Sequence, residues 1–475
     1  MKSKILEIHQ NLLDKKTTVR EVVDFYLNNI KENEPKVNSL LGVYDDAFIS
    51  EQIKKAEELF VSGKFTKMTG VPIVIKDNLC LKGQITSAGS KMLENYVATY
   101  NSTIVQKLID AGAILIGRAN MDEFAMGGST ENSAYKNTMN PLDVSRVPGG
   151  SSGGSAAVVA YGGVPVSIGT DTGGSIRQPA SFCGVVGLKP TYGDVSRFGL
   201  IAMGSSLDVV GPMAKSVEDI EIVFNIINGK DIHDATTLEE SEKENIRNKD
   251  KEHKESVKKV IGIPRSFIDG DGVDIKVREN FYETIKKLEE KGYTTKDIEI
   301  KNIEKALSVY YILMFAEVSS NLARFDGVRY GKSVVAGTPN ENMIESRSSG
   351  LGTEPIRRSL LGTYVLSSGY YDAYYYKAVQ ARNQLKKEFE KVFTDVTFVA
   401  TPTSPILPWK FGEKSDPLSA YMADIFTVPA NIVGIPGISI PSGKTEEGLS
   451  FGIQFLANSY AECELLSVGK ELELL

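Results

Sequence analysis

Apolar side chains recur at helical intervals through roughly the first 65 residues. Ile5, Leu6, Leu12 and Leu13 alternate with Lys, Glu, Asp and Gln, as on one face of an amphipathic helix. Thr18 and Glu21 have capping-box spacing ahead of Val22, Val23, Tyr26 and Leu27, which predicts a second helix. From Gly70 the period changes. Val71 to Ile75 reads as a short strand, Thr103 to Ala111 as a helix stopped near Gly112, and Ala113 to Ile116 as another strand. Ala156 to Ala160 reads as a helix and Val164 to Ile168 as a buried strand. Val260 to Ile263 and Val277 to Leu288 repeat the strand-then-helix order. Helical patterns cover Ile303 to Arg324 and Ile356 to Val392, with strands near Thr397 to Ala400, Gly437 to Ile440 and Leu449 to Phe455. Short apolar strands alternating with helices predict an α/β protein.

Two stretches break the alternation. Gly and Ser dominate from Gly149 to Ser175, too densely for ordinary helix or strand. Residues 238–259 mix Glu, Lys, Asp and Asn with almost no large apolar side chain, and read as a solvated loop insertion or a frayed helix. Composition then narrows the function. Lys plus Arg minus Asp plus Glu is 54 − 61 = −7, so no global basic field grips nucleic acid, and any RNA contact is local or delegated to a partner. Cys80, Cys183 and Cys463 are far apart and lack CxxC spacing, which argues against a disulfide framework or a zinc site and fits a reducing compartment. The N-terminal pattern lacks the apolar core of a signal peptide, and no run is long enough to span a membrane; a cytoplasmic location is expected. Only His9, His233 and His253 are available, the last two in or beside the charged stretch, so catalysis without histidine is expected.

The run Gly149-Gly150-Ser151-Ser152-Gly153-Gly154-Ser155 lacks the terminal Gly-Lys-Ser/Thr of a phosphate-binding loop. It matches G-x-S-x-G, but a nucleophile elbow needs a downstream catalytic histidine, for which His233 and His253 are poorly placed. A purely structural turn stays open. The second cluster, Gly169-Thr170-Asp171-Thr172-Gly173-Gly174-Ser175-Ile176-Arg177-Gln178-Pro179, sets glycines just before a serine, so that several backbone N–H groups can turn toward an oxyanion beside its hydroxyl. Asp171 and Arg177 either pair to hold this loop or form a plain surface ion pair. Lys76 ends the apolar strand; it either reaches solvent or, if buried, becomes a neutral amine able to accept a proton. Serine–lysine pairs are a known variant of triad chemistry.

Together these motifs resemble the amidase signature family, over nearly the whole chain. The resemblance implies one large domain with a central mixed β-sheet surrounded by helices, in which residues 1–65 form the N-terminal helical segment and residues 66–475 the core. It implies amide hydrolysis by a Ser–cis-Ser–Lys triad, with Ser175 as nucleophile, Ser151 as bridging serine after a cis peptide, and Lys76 as base. Backbone N–H groups of Thr172, Gly173 and Gly174 would form the oxyanion hole.

Three further runs, Asn120 to Glu131, Ser320 to Gly327 and Ser367 to Tyr374, look like the branch of that family that serves as the glutaminase component of tRNA-dependent amidotransferases. That likeness implies a heterotrimer. Ammonia from glutamine would pass to a B subunit, which converts Glu-tRNA(Gln) to Gln-tRNA(Gln) with ATP and Mg, while a small C subunit tethers the two. No cofactor or metal is expected in this chain. Arg358, or its neighbour Arg357, is the expected partner of the glutamine α-carboxylate. Asp424 would hold the α-ammonium, and Tyr310, with Tyr311 as the alternative, would line the pocket with Gly128 and Ser129. Cys183 is expected in the core, and Tyr370 to Tyr376 in core or subunit packing. Two alternatives remain: a free-standing amidase acting on another small amide, and an inactive scaffold.

Overall fold

A computed structural model describes residues 2–248, 259–414 and 416–475. The two N-terminal helices form as expected, Lys4–Leu13 and Val19–Val37. The capping box closes in both directions, with Thr18 Oγ1 accepting from Glu21 N at 3.2 Å and the Glu21 carboxylate accepting from Thr18 N at 2.8 Å. This N-terminal segment is not purely helical, however, because Leu40–Val43 is a strand that joins the sheet.

Eleven strands make one mixed sheet: β1 (Leu40–Val43), β2 (Pro72–Lys76), β3 (Ile114–Ala119), β4 (Val166–Asp171), β5 (Val186–Lys189), β6 (Val209–Ala214), β7 (Val260–Ile263), β8 (Thr294–Asp297), β9 (Phe398–Pro402), β10 (Gly437–Lys444) and β11 (Ser450–Leu456). Their order is β1-β3-β2-β4-β6-β5-β10-β11-β9-β7-β8. β2 runs parallel to both β3 and β4, so the C-terminal ends of these neighbours lie side by side. Ligand sites in open α/β sheets gather at such strand ends. β2, β4, β5 and β6 are buried along their whole length, and β2 reads as the continuous apolar run expected of a strand covered on both faces.

One apolar cluster surrounds the sheet. A second gathers the helices Ala306–Leu322, Lys377–Val392 and Val428–Val433 with Met203 and Tyr310. The helical pattern over Ile356 to Val392 is in fact two helices, Thr353–Leu366 and Lys377–Val392, because Gly369 takes φ +84° and a π-helical turn, Asp372–Tyr376, intervenes. Tyr370, Tyr371, Tyr374 and Tyr376 are exposed, so the expectation of core packing is corrected for them. Within the charged stretch, Glu240–Asn248 is a helix whose Lys243 is buried against Asp194. The remainder of that stretch, 249–258 with His253, lies outside the described residues. Cys183 is buried as expected. Among the described residues no helix is long and apolar enough to cross a membrane.

Candidate active site

Lys76 closes β2 and is fully buried, so its amine cannot reach solvent. Its Nζ lies 2.8 Å from Ser151 Oγ, 2.8 Å from Ser152 Oγ and 2.9 Å from Thr170 Oγ1. Burial lowers its proton affinity from the ordinary lysine range to about 7, against the opposing pull of Asp122, Asp171 and Asp208. Near neutrality the amine is therefore available in its basic form. Ser152 cannot supply it with a proton. Its hydroxyl donates to the Thr170 carbonyl at 3.0 Å, and its oxygen accepts from Thr170 N at 3.2 Å. The hydroxyls of Ser151 and Thr170 are left to face the lysine lone pair, and of the two only Ser151 stands in the loop bonded to the Ser175 backbone, through Ser152 N to the Ser175 carbonyl at 3.2 Å.

The peptide between Gly150 and Ser151 is cis, at the position the motif singled out. Gln178 braces it, accepting from Gly150 N at 2.9 Å and donating to the Gly128 carbonyl at 2.9 Å. The helix Gly153–Ala160 starts directly after this loop, closer to the double serine than the glycine density suggested.

Ser175 sits just past β4, ahead of the helix Arg177–Cys183, with 8 % of its surface exposed into a cavity. Asp171 holds the loop from within. It accepts from Arg177 Nη2 at 3.0 Å, from Ile176 N at 3.1 Å and from Asn431 Nδ2 at 2.9 Å. Both members of the Asp171–Arg177 pair are fully buried, which decides against the surface ion pair. Burial alone would raise Asp171; the Arg177 charge overcomes it and holds the carboxyl near 2. The backbone N–H groups of Thr172, Gly173 and Gly174 have no hydrogen-bond partner among the described residues, as a developing oxyanion would require. A side chain at Gly173 would meet the Tyr310 ring at 2.7 Å, so only glycine lets the ring approach this backbone.

The cavity encloses about 350 Å³. All five residues expected to bind substrate line it: Gly128, Ser129, Tyr310, Arg358 and Asp424. Tyr311 and Arg357 line it too. Arg358 is the buried one of its pair at 3 % exposure, and Arg357 the more open. Glu354, one helical turn before Arg358, accepts from Arg358 Nε at 2.7 Å, from Tyr421 Oη at 2.6 Å and from Arg357. Burial works against the Arg358 charge, but Glu354 holds it fully protonated. Glu354 was not anticipated, although its i,i+4 spacing from Arg358 was a readable signal.

Asp424 is different. It shows part of its surface to the cavity, yet protein surrounds the rest of its carboxylate, and that side chain makes no hydrogen bond or ion pair among the described residues. Burial, with Asp171 adding to it, pushes the carboxyl up to about 8. Two guanidiniums against one Glu354 carboxylate leave one net positive charge at one wall, and Asp424 is a mostly protonated carboxyl that a cationic group in the cavity would ionise. No histidine lines the cavity. Among the described residues no group of His, Cys, Asp or Glu is placed to hold a metal ion.

The chain is similar to known proteins over nearly its whole length. The family model described as Amidase matches residues 21–466. The A subunit of the glutamyl-tRNA(Gln) amidotransferase of Alkaliphilus metalliredigens is 47% identical over 473 residues, covering 99% of this chain and 95% of that one. The crystal structure of the A subunit of glutamyl-tRNA(Gln) amidotransferase from Thermotoga maritima superposes with a TM-score of 0.76 at 36% identity, over 95% of this chain and 93% of that one. A crystal structure named simply as an amidase reaches a TM-score of 0.82 at 28% identity, over 99% of both chains.

Proposed function

Because this chain belongs to the amidase family, we propose that it is the glutamine-hydrolysing subunit of a tRNA-dependent amidotransferase. Ser175 Oγ attacks the side-chain amide carbon of glutamine while its proton passes through Ser151 to neutral Lys76. The backbone N–H groups of Thr172, Gly173 and Gly174 take the oxyanion. As the tetrahedral species collapses, the C–N bond breaks and the relay returns the proton to the leaving nitrogen, giving ammonia and a γ-glutamyl ester on Ser175. Water then attacks that ester by the same route, releasing glutamate and restoring the serine. Ammonia passes to a B subunit that holds ATP and Mg and amidates Glu-tRNA(Gln), with a C subunit completing a heterotrimer in the cytoplasm.

The observation that carries the reading is a buried guanidinium and an unpartnered carboxyl in one cavity that opens on Ser175. A neutral amide needs neither Arg358 nor Asp424. The zwitterionic end of glutamine matches both, its α-carboxylate taking the guanidinium fork and its α-ammonium the unpartnered carboxylate, with Tyr310 against the aliphatic stem. The second reading, an amidase acting alone on another small amide, draws on the higher TM-score, 0.82 against 0.76, of a structure named simply as an amidase.

The test is ammonia release from glutamine by the chain, alone and co-purified with candidate B and C subunits, with ATP and mischarged tRNA varied and Ser175→Ala as the blank. Stimulation by partners, ATP and tRNA supports the proposal. Supplying Glu-tRNA(Gln) and Asp-tRNA(Asn) separately identifies the acceptor. Brisk hydrolysis of uncharged amides by the isolated chain, with glutamine ignored, establishes the second reading.

A further inference from the structure

We infer that Glu123 is a positioning residue for the glutamine pocket, its carboxylate fastening the start of the helix that carries Arg358 to the loop that forms the adjoining wall. The inference rests on the reading that this pocket takes glutamine.

The helix Thr353–Leu366 supplies Thr353, Glu354, Arg357 and Arg358 to the cavity. Its N-cap is Gly352, which has no side chain with which to cap, and none of the first-turn N–H groups receives a side-chain cap from that residue. Glu123, 229 positions away in sequence, supplies the missing contact: its Oε2 accepts from Gly352 N at 2.9 Å. This is the contact that the glutamate of a capping box makes to the N-cap N–H, here delivered from another part of the fold. The approach is close. A side chain at position 352 would stand 2.3 Å from Glu123 Oε2.

Glu123 itself begins the loop that forms the adjoining wall, and its other carboxylate oxygen is held from outside the cavity. Glu123 Oε1 accepts from Ser90 Oγ at 2.5 Å, and Glu123 N donates to the Asn132 carbonyl at 3.3 Å. Directly after Glu123 the backbone turns through Phe124 at φ +49° and Ala125 at φ +62°, a conformation costly for a bulky aromatic residue. That turn leads into Ala125, Gly127, Gly128 and Ser129, all of which line the cavity. One side chain thus ties the two walls between which Arg358 must meet a carboxylate.

Glu123 is 1 % exposed, and among the described residues no cation pairs with it. A buried carboxyl with only a serine and a backbone N–H as partners is expensive to keep, and burial pushes it up to about 7. Glu123→Gln preserves the clamp in neutral form: the amide oxygen accepts from Gly352 N, the amide nitrogen donates to Ser90 Oγ, and the serine turns its proton to the Gly350 carbonyl, 3.3 Å away. Glu123→Ala releases both walls.

The experiment compares wild type, Glu123→Ala and Glu123→Gln, each co-purified with the partner subunits, by glutamine-dependent ammonia release and by fluorophosphonate labelling of Ser175. The fluorophosphonate carries no α-carboxylate and does not need Arg358. In Glu123→Ala the glutamine KM rises about tenfold or more, with kcat and labelling rate held within about twofold, and Glu123→Gln restores the KM. An unchanged KM in Glu123→Ala overturns the inference. So does a parallel loss of labelling that Glu123→Gln fails to rescue, because the residue would then support the whole domain and not the pocket. Wild type that labels but releases no ammonia from glutamine removes the glutamine reading itself, and this inference with it, before any variant is compared.

Discussion

Glutamine binding should expel a proton from the protein, and Asp424 is the group that loses it. Burial among protein groups alone pushes its carboxyl up to about 8, so at pH 7 only about one molecule in eleven carries the negative charge that an α-ammonium requires. A bound ammonium restores the ionised form, as any opposite charge in contact does. About 0.9 proton is therefore released per glutamine bound at pH 7, and the affinity rises about fivefold between pH 7 and pH 8 as the ionised fraction grows. Binding is best read on the Ser175→Ala protein, which removes turnover and with it the separate titration of Lys76. Calorimetry in two buffers of different ionisation enthalpy counts the protons directly. Asp424→Asn should bind weakly, with a flat pH dependence and no proton release. A wild-type affinity independent of pH, or an Asp424→Asn protein with the same slope, would refute the assignment of the ammonium to this carboxylate.

The proton-accepting form of Lys76 is the neutral one, so kcat/KM for an uncharged acylating probe should fall about tenfold per pH unit below about 7 and level off above it, and Lys76→Arg should be inactive at every pH. Arg177→Met leaves Asp171 charged and buried without its main partner; a loss of about 3–5 kcal/mol is expected in urea unfolding, and a change under about 1 kcal/mol would contradict the burial of the pair. Gly174→Ala puts a methyl 2.2 Å from Thr427 Oγ1 at a backbone φ of +140°, so kcat should drop about a hundredfold while glutamine affinity, measured by calorimetry, changes little.

Periodicity located the elements whose burial is one-sided or whose ends are punctuated. Val260–Ile263 was bounded correctly, and Thr103–Asp110 ends at a glycine with φ +82° as its stop signal implied. Strands without such signals were not visible. β6 contains Gly211 and Pro212, β5 is four residues with a glycine inside, and β8 is the polar edge segment Thr294–Asp297. In the site, Lys76 and the two serine loops were legible because each sits in a distinctive local run. Thr170 lay in plain view within the second loop, yet its hydrogen bond to Lys76 joins positions 94 residues apart and leaves no local pattern. The Arg357/Arg358 ambiguity was a question of helix face, which only the packing of Thr353–Leu366 could answer.

The residues around the reacting serine and those around the zwitterion hang from different parts of the molecule. Lys76, Thr170 and Asp171 end adjacent strands of a sheet buried on both faces, and the two serine loops are stitched to those strands. Tyr310, Arg358 and Asp424 come from helices and a short turn outside the sheet, the first two on helices that pack chiefly on each other. Such a division allows the selecting elements to be exchanged as a cassette while the acyl-transfer centre stays in register. A chimera that transplants residues 303–366 and 416–426 from an amidase of neutral substrates, keeping Thr427 and Asn431 against the serine loop, should change which amide is cleaved and leave the pH midpoint of acylation where the sheet has set it.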